Sequence, residues 1–320
     1  MTNSTEQILT RLFNGEHARM STWTEQTQAR AALCVKSSAP KPIALPSRLH
    51  SANDEASLTQ LCDRVKRNGF ALYTWIDKPT DITDAVTGLM HALGLHSSDR
   101  GVIRDAGELS LLQDSTGTPK GRFPPYQAKA MNWHTDGYYN ATSEVIRCFT
   151  LHCVEPAAEG GALILMDDSF AVLALLRDDP QWVALLSHPD AMTLPHNQDL
   201  EGHDRPDRTL PMIYQNADES LSLRFTTRSQ NIRWRCESTK LAALRATELI
   251  QVHNEWHIRL RLEKGQGVIT RNILHTRERF ADEPERPKRQ MLRGRFTCLP
   301  WPASRQQSAQ LTGEHTHATR

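Results

Sequence analysis

The sequence has no apolar run long enough to cross a bilayer as a helix, so no transmembrane helix is expected. It has no excess of one charge. The 38 basic and 37 acidic residues give a net +1, too little for a general nucleic-acid binder. It has no CxxC pair and no zinc-finger spacing: Cys34, Cys62, Cys148, Cys153, Cys236 and Cys298 are scattered, and are expected to be reduced and mostly structural. It has no GxGxxG and no Walker-type loop, so those modes of nucleotide binding have no support. Internal repeats and low-complexity blocks are also missing. The opening MTNSTEQILTRLFNGEHARM places polar residues where a secretion signal carries its apolar segment, so a cytoplasmic protein is expected, with no membrane partner.

What is there is a globular composition. The 320 residues are 23% charged and 38% hydrophobic, enough to bury a sizeable core in one large domain or two ordinary ones. Residues 1–45 read as an amphipathic helical extension followed by the extended connector SSAPKPIALP. SANDEASLTQLCDRVKRNGFALYTW predicts a helix and then a buried strand, and DITDAVTGLMHALGL a second helix. AKAMNWHTD, VIRCFTLHCV and the stretch after Gly160 and Gly161 in AEGGALILMDD have strand length and apolar or alternating character. Residues 168–210 read as a helical and loop-like insertion. Strands return at LPMIYQ and LSLRFTTR, a helix at STKLAALRATELIQVHNEW, and strands again at GVITRNILH and RQMLRGRFTCLPW. Residues 303–320 are polar and expected to be a disordered tail. Strands and helices do not alternate, so a doubly wound sheet fits poorly. The expected fold is mainly β with helical additions, a sandwich or barrel occupying 46–302.

NWHTDGYYN holds the first chemical signal. In a strand, residues two apart share a face, so His134 and Asp136 can reach one point. A histidine and a carboxylate converging there are two thirds of an iron site. Two other triplets compete, His188-Pro189-Asp190 and His253-Asn254-Glu255. The first reads as a turn after a helix. The second falls within a predicted helix, where residues two apart point to different faces. Only His134 and Asp136 stand at a predicted strand end, with Gly137 turning the chain. A third ligand has to come from a distant strand. In KGQGVITRNILHTRERF, Gly265 and Gly267 read as a turn and His275 as the end of the strand VITRNIL. Arg289 then opens the otherwise apolar RQMLRGRF, where a guanidinium needs a carboxylate partner.

From roughly residue 69 to the end of RQMLRGRF, these motifs resemble the iron(II)- and 2-oxoglutarate-dependent oxygenases of the taurine dioxygenase and clavaminate synthase type. The likeness rests on WHTDG, LHCVEPAAEGG, GQGVITRNILHTRERF and the spacing to Arg289. The resemblance implies a double-stranded β-helix, or jelly roll, with the insertion covering one end. It also implies Fe(II) on His134, Asp136 and His275, 2-oxoglutarate anchored by Arg289, and O2 as the second cosubstrate. The carboxylate of Asp136 implies hydroxylation or a related oxidation and not halide transfer. Many relatives carry a threonine shortly after the glycine pair. Here Ala162 and Leu163 follow, so its hydrogen bond is either missing or supplied elsewhere, by Asn132 or a tyrosine.

For the substrate the residues leave alternatives open. Arg293, four residues after Arg289 and on the same strand face, serves either as an anchor for an acidic group or as a surface ion pair. Tyr138 and Tyr139 line the pocket or pack in the core, and Arg224 and Arg228 are further candidates. The expected partner is a small, acidic molecule and not a nucleic acid, with homo-oligomerisation left open. The rival readings are a protein or RNA hydroxylase of the same fold and a non-catalytic jelly-roll sensor or scaffold. Neutral net charge weighs against RNA, and polar groups converging in a core weigh against a scaffold.

Overall fold

The computed structural model describes residues 12, 17–35, 40–49, 52–96, 108–198, 204–216, 220–227 and 232–301. Two sheets face each other. The larger is built from β1 (Ile43–Leu45), β2 (Phe70–Trp75), β3 (Ser110–Leu112), β4 (Cys148–Glu155), β11 (Gln266–Arg271) and β13 (Gln290–Phe296). Its spatial order is β1-β2-β11-β4-β13-β3, and every pairing except β1 with β2 is antiparallel. The smaller sheet has β5 (Leu163–Met166) in its centre, flanked by β10 (Ile258–Leu260) and β12 (Leu274–Arg277).

Alternation along each strand explains the layers. Phe70, Leu72, Phe149, Val268 and Met291 point inward, where they meet Leu163, Leu165 and Leu260 of the smaller sheet. Ala71, Tyr73, Ile269 and Leu292 point outward, beneath helices α2 (Ala52–Asn68) and α3 (Ile82–Ala92). Both faces of β2 are therefore covered, which is why FALYTW is almost continuously apolar. On the far side, Met166 and Leu274 pack against α4 (Asp168–Asp178), α5 (Pro180–Leu186) and α6 (Glu237–Val252). Ala31 of α1 (His17–Val35) joins that cluster. The order is helices, sheet, sheet, helices.

The segment 168–210 is helical only in its first half. After α5 it forms short strands: β6 (Met192–Leu194) pairs with β7 (Arg208–Leu210) and with Arg233–Trp234, and Asn197–Gln198 pairs with Asp204–Arg205. None of these joins either large sheet. LPMIYQ and LSLRF supply β8 (Ile213–Gln215) and β9 (Leu221–Leu223), which pair with each other.

Three local expectations fail. AKAMNWHTD is not a strand. It follows Pro124 and Pro125 as an extended edge, tied by Met131 N–H to Arg277 O, by His134 to His275, and by Thr135 N–H to Phe225 O. VITRNIL is not one strand either. The chain leaves the larger sheet at Arg271 and enters the smaller at Leu274, so His275 lies inside β12 and not at a strand end. Gly267 is no turn residue. It pairs with Tyr73 and His152 in mid-sheet, and a Cβ there would stand 2.3 Å from the Tyr73 ring. The bare backbone lets the fully buried tyrosine cross β11. No helix among the described residues is long and apolar enough to cross a membrane.

Candidate active site

The site forms where the 128–136 edge meets β12. Leu274 points out to the helices and His275 inward, as alternation requires. His134 exchanges both backbone hydrogen bonds with His275, each 3.0 Å, which sets the imidazoles side by side with centroids 4.2 Å apart. Asp136 follows two residues later. One ligand atom each from His134, Asp136 and His275 lies within 4.8 Å of the others, and no other group of three or more such side chains exists among the described residues.

The imidazoles are held the same way. His134 Nδ1 bonds Asn132 O and His275 Nδ1 bonds Ile273 O, both at 2.8 Å. A ring that donates from Nδ1 keeps its lone pair on Nε2, which faces the centre. Burial, reinforced by the neighbouring His134, pushes His275 down to about 3, so it is neutral at neutral pH. Burial by itself would raise the Asp136 carboxyl. The guanidiniums of Arg293 and Arg295, together with the two histidines, instead hold it well below the usual carboxylate range. Arg293 Nη1 stands 3.8 Å from Asp136 Oδ2, and His134 Nε2 3.8 Å from Oδ1. Two imidazoles and one carboxylate fit a divalent iron with open positions.

Asn272 sits at the crossing between the sheets. Its Oδ1 accepts from Asp136 N–H at 2.8 Å, and its Nδ2 donates to Asp136 O at 2.7 Å and to Ile146 O at 2.9 Å. Asp136 is thus clamped through its backbone by the residue that moves the chain from one sheet to the other.

Two cavities meet at His134, Asp136 and Arg293. The inner one runs between the sheets past Phe149, Leu163 and Met291 to Arg277 and Arg289. Both guanidiniums lie on the Phe280 ring, at 5.0 and 4.8 Å from its centroid. Arg277 is occupied by the carbonyls of Gln127 and Lys129. Arg289 Nη1 is buried without a hydrogen-bond partner. Burial lowers the pKa of both, that of Arg277 to about 9 with Arg289 adding repulsion. Gly160 and Gly161 back this wall: Gly160 has φ +68, and a Cβ on it would stand 2.2 Å from Arg279 O. Only glycine lets Glu159–Gly160 pair with Phe280–Ala281 and set the ring beneath Arg289.

The outer cavity adjoins His134 and Asp136. Tyr138 and Tyr139 line it, and both also pack against the helical core. Asn132 lines it too and does not line the inner cavity, where Arg289 lies. Arg293 belongs to both cavities, and its Nε is buried without a hydrogen bond. Arg224 lines neither. Its guanidinium lies 4.7 Å over the Tyr214 ring and its Nη1 donates to Asn140 O at 3.5 Å, so the expected substrate contact gives way to packing. Arg228 lies outside the described residues.

Both competing triplets behave as local structure. Asp190 N–H donates to His188 Nδ1 at 3.0 Å within a turn. The helix α6 ends at Val252, so His253 and Glu255 lie beyond it and do meet, at 2.8 Å, contrary to the helical argument. Among the described residues no third ligand joins them. Sequence reasoning passed over Asn272, Arg277 and Arg295. Arg277 had a signal: it is two residues after His275, hence on the same strand face.

The family model described as "Taurine catabolism dioxygenase TauD, TfdA family" matches residues 49–295. A uridine-5'-phosphate dioxygenase from Streptomyces sp is 28% identical over 181 residues, covering 55% of this chain and 64% of that protein, so the chain spans less than two thirds of the relative's length. Among solved structures, asparagine oxygenase has a TM-score of 0.57 at 14% identity, covering 87% of this chain and 91% of its own. PvcB from Pseudomonas aeruginosa has a TM-score of 0.54 at 18% identity, covering 82% and 90%. At such identities the likeness is one of fold, and it agrees with the jelly roll that the motifs imply.

Proposed function

Because this chain belongs to the TauD, TfdA family, we propose that it is an Fe(II)- and 2-oxoglutarate-dependent dioxygenase that hydroxylates a small, acidic organic molecule. The observation that carries the reading is the convergence of His134, Asp136 and His275 within 4.8 Å in a cavity that also holds the buried Arg289, whose Nη1 has no hydrogen-bond partner. Iron bound there supplies O2 activation coupled to oxidative decarboxylation: one oxygen atom leaves in succinate with CO2, and the other enters the substrate C–H bond.

The residues divide the work. His134 and His275 present Nε2 lone pairs, their orientation fixed by the carbonyls of Asn132 and Ile273. Asp136 gives one anionic oxygen and keeps its charge through Arg293 and Arg295. Arg289 takes the far carboxylate of 2-oxoglutarate as a bidentate pair at the closed end of the inner cavity, where its orphaned Nη1 has no other use. With Ala162 in place of the relatives' threonine and Asn132 outside this cavity, Arg277, whose Nε is buried without a hydrogen bond, is a further donor that lines it. Apolar walls at Phe149, Leu163 and Met291 keep water from the cosubstrate. The outer cavity receives the substrate, with Arg293 at the boundary to orient an acidic group. The name of the Streptomyces relative, a dioxygenase of an anionic small molecule, supports this class.

The iron-loaded protein, incubated with 2-oxoglutarate and a panel of small acids, should release succinate with at least one of them in step with a hydroxylated product. A chain that neither binds Fe(II) nor consumes 2-oxoglutarate under any of these conditions is not such an enzyme.

A further inference from the structure

The outer cavity holds more positive charge than one carboxylic acid offsets. Lys129, Arg205, Arg208, Arg293 and Arg295 line it, and Asp136 is its sole carboxylate among the described residues. Asp136 already faces Arg293 at 3.8 Å. The other cations arrive from three separate segments: the 128–136 edge, the small strands after α5, and β13. Like charges around one space repel unless an anion offsets them.

Arg205 and Arg208 are the informative pair. Arg205 Nε and Arg208 Nη1 are buried without hydrogen-bond partners. Arg205 lies 4.4 Å over the Tyr139 ring, and the nearest acid to Arg208 is the exposed Glu144 at 3.9 Å. Acids close in sequence are engaged elsewhere: Asp207 with Arg233, and Asp204 with His196 at 3.0 Å. The fold therefore places two incompletely satisfied guanidiniums in the lining of the outer cavity.

Resting on the oxygenase reading, we infer that the primary substrate is a phosphate monoester. Its phosphate is held by Arg205 and Arg208, and its carbon body lies along Tyr139, Pro195 and Ile232 toward the metal-ligating residues. A phosphate monoester carries nearly two charges at neutral pH, its second pKa being about 6, whereas a carboxylate or sulfonate carries one. Its three terminal oxygens suit two guanidinium forks. The apolar side chains that line the same cavity, Tyr139, Pro195 and Ile232 among them, fit an organic body and not free phosphate.

The test uses the full chain loaded with Fe(II) and 2-oxoglutarate without oxygen, titrated with phenyl phosphate, benzenesulfonate, benzoate and inorganic phosphate. Binding is read by calorimetry. At about pH 7.5, above the phosphate's second pKa of about 6, phenyl phosphate should bind at least ~10-fold more tightly than each of the others. The advantage should shrink as the pH falls below that pKa. Arg205→Ala and Arg208→Ala should each weaken phenyl phosphate about 10-fold, a loss of one bidentate anion contact's order, with Arg205→Lys and Arg208→Lys recovering part of it. Equal binding of benzenesulfonate, equal binding of inorganic phosphate, or indifference to both alanine substitutions overturns the proposal. The 2-oxoglutarate affinity of the same samples is measured separately. Its absence would sink the oxygenase reading, whereas intact 2-oxoglutarate binding with no phosphate preference would sink this inference alone.

Discussion

His134 and His275 are partners in an antiparallel pair, each donating its N–H to the other's carbonyl at 3.0 Å. The two imidazoles thus inherit their spacing from backbone geometry. Replacing either should remove a ligand without disturbing the pairing. His275→Ala is expected to weaken equilibrium Fe(II) binding by more than ~100-fold, beyond the range for outer-shell residues, with an unchanged circular dichroism spectrum. His253→Ala serves as the control and should bind iron normally. Full iron binding by His275→Ala would mean that another residue is the third ligand.

Arg289→Ala should act on the cosubstrate and spare the metal. Losing the partner of a carboxylate in a largely dry cavity costs about 2–5 kcal/mol, so the KM for 2-oxoglutarate should rise steeply while iron binding holds. Both quantities are measured on the same preparation, and an unaltered KM would move the anchor to Arg277 or Arg293.

Asn272 predicts an effect without touching the metal itself. Its amide holds Asp136 N–H and O at 2.8 and 2.7 Å. Asn272→Leu breaks both bonds and is expected to weaken Fe(II) binding about 10–100-fold, the range for residues that orient ligands. A purely structural role would lower the melting temperature and leave the iron affinity of the folded fraction at the wild-type value.

Far from the site, His152 sets an acid limit. Its Nδ1 lies 3.0 Å from the Tyr73 hydroxyl, and burial pushes it down to about 4. The folded state therefore favours the neutral ring. The stability this gives is complete above the unfolded value of about 6.5 and is lost as pH falls through 4, amounting to a few kcal/mol. Urea midpoints between those limits should fall with acid in the wild type and fall less steeply in His152→Leu. Parallel slopes would assign the acid sensitivity to other groups.

Much of the fold was legible because burial writes itself as periodicity. FALYTW is apolar on both faces since helices cover one and the second sheet the other, and α3, β4, β5, α6 and β13 fall close to their expected positions. The errors cluster where the chain changes partners. VITRNIL reads as one strand, yet it breaks at Asn272 because an asparagine side chain there takes over hydrogen bonds that a ladder would supply. AKAMNWHTD has strand composition, but it meets β12 at single points only. The second half of the 168–210 segment gave no period because its strands are two or three residues long. For the site, i to i+2 spacing brought His134 and Asp136 forward, and their meeting with His275 depends on a contact 141 residues away that no local pattern encodes. Arg224 failed for the opposite reason: a strand position gives a face but not what stands across from it, here Tyr214.

The short strands after α5 pair among themselves and with Arg233–Trp234, never with the two large sheets. Arg205 and Arg208 therefore hang from an appendage, whereas the metal-ligating residues and Arg289 are built into the framework. Sequence drift in the appendage can alter which molecule is admitted and leave the oxidising machinery intact. A lineage of such proteins is free to diversify its diet by rewriting the exposed positions of these short strands while inheriting its chemistry whole, and swapping the stretch between paralogues is the natural way to exchange appetites.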